Sequence, residues 1–110
     1  MGKYTAPQVT ILDIAQALPA LEQPLLWRVA LYPKAGNTTN LHACVELCVA
    51  RPDSSTIVYK RFAGKARSSS TASILAGLLQ AAQEAYWYTA PISPGELVRL
   101  ACWEADAPRP

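Results

Sequence analysis

Leu41-His42-Ala43-Cys44-Val45-Glu46-Leu47-Cys48-Val49-Ala50 alternates without a break. Successive side chains of a strand point to opposite sides. Leu41, Ala43, Val45, Leu47 and Val49 therefore share one face, and His42, Cys44, Glu46, Cys48 and Ala50 share the other. Alternation of this length predicts a half-buried antiparallel strand with the aliphatic set turned to the core. The same period puts Cys44 and Cys48 about 13 Å apart at ~3.3 Å per residue, too far for a disulfide.

Working outward, Arg51-Pro52-Asp53-Ser54-Ser55 carries turn chemistry, so Thr56 to Phe62 reads as a strand hairpinned to the first. On the other side Pro33-Lys34-Ala35-Gly36-Asn37 reads as a loop. Before it, Leu25 to Tyr32 reads as a strand, with Leu25, Trp27, Val29 and Leu31 alternating with Leu26, Arg28, Ala30 and Tyr32. Gly64 to Ser70 reads as a loop, and Thr71 to Tyr86 or Tyr88 as a long helix capped by Ser70 or Thr71. Thr10 to Leu18 has Ile11, Ile14, Ala15 and Leu18 at helical spacing, and Thr10 with Asp13 resembles a capping box; a strand over Val9 to Ile14 is the alternative. Glu96 to Glu104 reads as a last strand. The expected fold is α+β: a three-stranded antiparallel meander packed on a long helix, plus a short N-terminal helix and a C-terminal strand. One domain is expected over 1–110, with flexible ends near 1–8 and 105–110.

The chain has 110 residues, of which 51% are hydrophobic and 16% charged. Soluble domains average roughly 25% charged residues. So apolar a composition excludes intrinsic disorder and a highly charged coiled coil. No apolar run approaches the ~20 residues that span a bilayer, so no membrane association is expected. Met1 to Pro7 has no apolar core, so no secretory signal is expected. The cysteines number three, an odd count that points to reduced thiols and a cytoplasmic setting. Low charge and a helix apolar on most sides lead us to expect a homo-oligomer or a protein partner.

Net charge is +2, but no acid lies between Asp53 and Glu84, an interval that holds Lys60, Arg61, Lys65 and Arg67. Ser68, Ser69 and Ser70 follow, at the start of the long helix. Cations, hydroxyls and helix N-terminal N–H groups are the groups that contact phosphate. These residues are the candidate nucleic-acid site, for RNA rather than DNA; a solvated loop is the alternative. The run Tyr86-Trp87-Tyr88 cannot turn every ring to one core, so it is the candidate protein interface. No enzyme is expected. His42 is the lone histidine, and Asp13, Glu46, Glu84, Glu104 and Asp106 lie in different elements. Neither a catalytic residue, a metal site nor a cofactor is assigned.

Ala43 to Asp53, Thr56 to Gly64 and Ser69 to Ala82 together resemble the front half of the ribonuclease H-like fold: a strand ending in a Pro-Asp turn, a second strand, then a small-polar lead into an Ala-rich helix. Where that family carries its catalytic carboxylates this chain has Tyr32-Pro33-Lys34, then Ser73, then Cys102-Trp103-Glu104. The resemblance therefore implies a catalytically silent version. Thr10 to Tyr86 also resembles the double-stranded-RNA-binding domain in its order of helix, meander and helix, with Lys65 and Arg67 near that family's cations. That family's Lys-Lys pair is replaced here by Ser68-Ser69 and the residues after them. Both resemblances imply a non-catalytic nucleic-acid-binding module. A small protein-interaction or inhibitor protein is the other reading.

Overall fold

The computed structural model describes residues 8–34 and 37–106. Helix α1 (Ile11–Ala17) leads into strands β1 (Leu25–Lys34), β2 (Asn37–Ala50) and β3 (Thr56–Ala66), followed by helices α2 (Thr71–Thr89) and α3 (Pro94–Asp106). The strands form one antiparallel sheet in the order β1-β2-β3. The expected α+β meander backed by a long helix is what the chain forms.

Helix α1 starts where its capping box demands. Thr10 N–H donates to Asp13 Oδ2 at 2.8 Å and Asp13 N–H to Thr10 Oγ1 at 3.2 Å, so two N-terminal donors are satisfied reciprocally. The strand alternative for this segment is excluded. Helix α2 is capped by the Ser70 hydroxyl, which accepts from Ser73 N–H at 3.2 Å.

The aliphatic face of β2 is the core. Ala43, Val45, Leu47 and Val49 are buried against Leu78, Ala81, Ala82 and Ala85 of α2, with Leu25, Phe62, Ile14, Leu97 and Ala101 closing the cluster. All three helices thus lie on one side of the sheet. Small residues on α2 let it sit close. A Cβ added to Gly64 of β3 would stand 1.8 Å from the carbonyl oxygen of Gly77, so strand and helix backbones touch there.

The expected C-terminal strand is a correction: Glu96 to Glu104 lies within α3. Ser93-Pro94-Gly95-Glu96 is its start signal. Ser93 Oγ accepts from Glu96 N–H at 3.3 Å, and Pro94 occupies the first turn, where its missing N–H costs nothing. The buried positions Leu97 and Ala101, with Val98, Cys102 and Ala105 beside them, make a stripe of helical period. Six hydrophobic residues in nine, Leu97, Val98, Leu100, Ala101, Cys102 and Trp103, hid that period behind an apparent strand. Beyond Phe62 a second correction applies: β3 runs to Ala66, so Lys65 is a strand residue and not part of a loop. Residues 105–106, expected in a flexible end, belong to α3, while 1–7 and 107–110 lie outside the described residues.

Candidate functional site

No helix covers the second face of the sheet among the described residues. At its centre stands Glu46, fully buried although it lies on the open side. Register explains how. Arg28 of β1 and Arg61 of β3 are the direct cross-strand neighbours of Glu46. Arg28 Nε donates to Glu46 Oε1 at 2.9 Å, and Arg61 Nε donates to Oε2 at 2.7 Å. Tyr32 Oη donates to the same Oε2 at 3.0 Å and accepts from Arg61 Nη2 at 3.1 Å. The Arg61 guanidinium also lies 4.5 Å from the centre of the Tyr32 ring. Two guanidiniums and a phenol thus close over one carboxylate.

The electrostatics follow from that closure. Burial opposes ionisation of Glu46, but the hydrogen bonds from Arg61, Arg28 and Tyr32 outweigh it, and its carboxyl sits below the usual range. The same hydrogen bond pushes the Tyr32 phenol up and holds Arg28 and Arg61 even more firmly protonated. Burial raises the thiols of Cys44 and Cys48, which flank Glu46 on the strand. By register Cys44 lies between Ala30 and Ala63, and Cys48 between Leu26 and Val58. Both remain free thiols.

The two arginines are held by Nε. Their side chains remain 43% and 49% exposed, so although Arg61 Nη2 also donates to Tyr32, each guanidinium keeps part of its donor fork in contact with solvent. Such forks match phosphate and carboxylate oxygens. Lys65, opposite His42 in the ladder, is exposed on the same face. Glu46 is the one acid there. Asp13, Glu84, Glu96, Glu104 and Asp106 are on the helices, Glu22 lies in the segment before β1 and Asp53 in the β2–β3 turn. Among the described residues, Arg28, Arg61 and Lys65 on the open face therefore stand against a single carboxylate already in use.

The run Lys60 to Ser70 is divided by the sheet. Arg61 and Lys65 share the open face, and exposed Arg67 follows β3 directly. Lys60 is on the helix side, its Nζ 4.7 Å from the centre of the Tyr88 ring. Ser68 and Ser70 are engaged locally: their hydroxyls lie 3.0 Å apart, and Ser70 is the cap of α2. Ser69 is exposed. Arg28 was not singled out from sequence. Its signal was present, since it shares the polar phase of β1 with Tyr32, but only cross-strand register joins it to Glu46 and Arg61.

The aromatic run is also divided. Tyr88 packs inward, 5.5 Å from Phe62 between ring centres, with its hydroxyl 3.2 Å from that of Tyr59. Tyr86 is exposed, Trp87 is 72% exposed, and Trp103 on α3 is 73% exposed.

Comparison with protein-family models, with curated proteins and with solved structures finds no match to this chain. What the site can do is therefore read from its own chemistry. No three His, Cys, Asp or Glu side chains come together as metal ligands among the described residues; Glu46 stays with its arginines, apart from Glu104 and Asp106 on α3. No described helix is long and apolar enough to cross a membrane.

Proposed function

We propose that this chain is a non-catalytic binding module for nucleic acid, and that the uncovered sheet face receives the phosphate backbone. The observation that carries this reading is the segregation of charge: Arg28, Arg61 and Lys65 on the open face, with nearly all acids on the helices or in turns. Arg67 extends the patch toward the N-terminus of α2. The Glu46 carboxylate orients the two guanidiniums before any ligand arrives, which lowers the ordering cost of binding. The order α1-β1-β2-β3-α2 agrees with the order that the double-stranded-RNA-binding resemblance implies. RNA is the proposed ligand over DNA on that resemblance.

The test is fluorescence anisotropy with single- and double-stranded RNA and DNA, titrated with salt. Four cations give a log–log salt slope of at most about −3.6 on duplex DNA, at roughly −0.9 per neutralised phosphate. Lys65→Ala/Arg67→Ala removes two of them and is expected to flatten the slope by about 1.8 on the same scale. If the wild type binds none of the four nucleic acids at ~50 mM salt, where phosphate contacts are strong, the proposal fails. The exposure of Trp87 and Trp103 would then favour the second reading, a small protein-interaction protein that contacts its partner through the helix side.

A further inference from the structure

The two edges of the sheet differ. At β3 the outward backbone meets α2: Lys65 N–H donates to Gln80 Oε1 at 3.1 Å, and Gly64 abuts Gly77. At β1 only the start of the strand is engaged, by the segment before it, with Trp27 Nε1 donating to the Pro19 carbonyl at 2.9 Å; from Val29 on, nothing comparable occurs among the described residues. Ala50 N–H donates to the Pro24 carbonyl at 2.9 Å, whereas Leu25 N–H turns away to Glu22 at 2.9 Å. Antiparallel pairs alternate in this sense along the ladder. The N–H and C=O groups of Trp27, Val29 and Leu31 therefore point outward from the sheet. Val29 and Leu31 are also 51% and 45% exposed on the helix side of that edge.

Natural edges are blunted by charge, proline, bulges or shortness. β1 is 10 residues long, and its proline and pairing irregularity both fall at its far end, Pro33 and Pro33/Lys34, leaving Leu25 to Tyr32 regularly paired with β2 and without either device. Its one charged side chain before Lys34 is Arg28, and that charge is drawn inward to Glu46 and away from the edge. The device that most often protects an edge is thus spent on the neighbouring strand.

We propose that β1 is a self-association strand, pairing antiparallel with β1 of a second copy about a two-fold axis at Ala30. The occupant is set by the edge itself. In this register Val29 of each copy lies opposite Leu31 of the other, so the exposed aliphatic pairs cover each other. Both residues have outward N–H and C=O groups, so this register pairs them in the hydrogen-bonding phase; Trp27 falls opposite the second copy's Pro33, whose carbonyl accepts the Trp27 N–H but which has no N–H to return. On the open side Arg28 falls opposite the second copy's Tyr32, with no like charges facing. The product is a continuous six-stranded sheet with one uninterrupted cationic face. This inference does not depend on nucleic-acid binding, and its test uses no nucleic acid.

Sedimentation equilibrium of the whole chain over a concentration series is expected to give a species of twice the 11.9 kDa chain mass. V29K and L31E each enter the interface twice by symmetry, and each is expected to weaken association at least about tenfold. The double variant V29K/L31E places opposite charges across both pairs and is expected to recover association. Hydrogen exchange of the wild type gives an independent readout: the amides of Trp27, Val29 and Leu31 are expected to gain protection as concentration rises. A mass of one chain throughout, an assembly larger than two, a double variant that fails to recover, or edge amides indifferent to concentration would each overturn the proposal.

Discussion

Glu46 shows how one residue's environment sets its consequence. A carboxylate with no exposure is costly unless its lone pairs are filled, and here three donors fill them. Glu46→Gln keeps the shape but removes the charge that both guanidiniums seek. Arg28 and Arg61 are nearly half exposed and can rehydrate, so the expected loss is about 2 kcal/mol, below the roughly 3–5 kcal/mol for a fully buried pair. Chemical denaturation at pH 7 measures it. The pH dependence has a definite sign. The folded carboxyl titrates below the unfolded one, so on acidification the unfolded chain takes up its proton first. The stabilisation is present above the ordinary carboxylate range and is lost as pH falls through the lower folded value. The gap between wild type and Glu46→Gln is therefore expected to close on acidification, and a gap that widens below pH ~4 would contradict the assignment.

At the scale of elements, two junctions govern the packing. Where β3 crosses α2, Gly64 has no room for a side chain, because the clash is with backbone and not with a flexible side chain. Gly64→Ala is expected to cost about 3 kcal/mol or more, since neither backbone can yield without displacing the core; a thermal melt within a degree of the wild type would contradict this contact. At the start of α3 the Ser93 hydroxyl satisfies the Glu96 N–H. Ser93→Ala is expected to cost about 1 kcal/mol, the usual worth of a cap, and to raise exchange of the amides in the first turn of α3 while leaving β1 unchanged. The helix was legible after all in Ser93-Pro94-Gly95-Glu96, whose cap, proline and acid are a start signal. The apolar run that follows masked it, because Leu97-Val98 and Leu100-Ala101-Cys102-Trp103 fit a buried strand as readily as a helix.

For the molecule as a whole, sidedness and not net charge is the expected determinant of polyanion binding. Neutralising two helix-side acids, Glu84→Gln/Glu104→Gln, raises the formal charge from +2 to +4. Lys65→Ala/Arg67→Ala lowers it from +2 to 0. If the open face is the site, the first pair is expected to change affinity less than about twofold, because both acids lie across the sheet and are screened over a Debye length of ~8 Å. Equal and opposite effects of the two pairs in a binding titration would mean that net charge alone governs. The meander, the capped α1 and α2, and the aliphatic core face of β2 were determined by the sequence by itself, because periodicity, capping and turn chemistry act within a few residues. The arrangement of the open face was decided only in three dimensions. Pairing shifts between Leu47 and Cys48, leaving Tyr59 as an extra residue on β3. That bulge turns Arg61 to the open face beside Glu46 and Phe62 into the core; without it the alternation begun at Thr56 would reverse them. Arg28, Glu46 and Arg61 lie far apart along the chain, and the register of three strands brings them together, a property that no local pattern encodes.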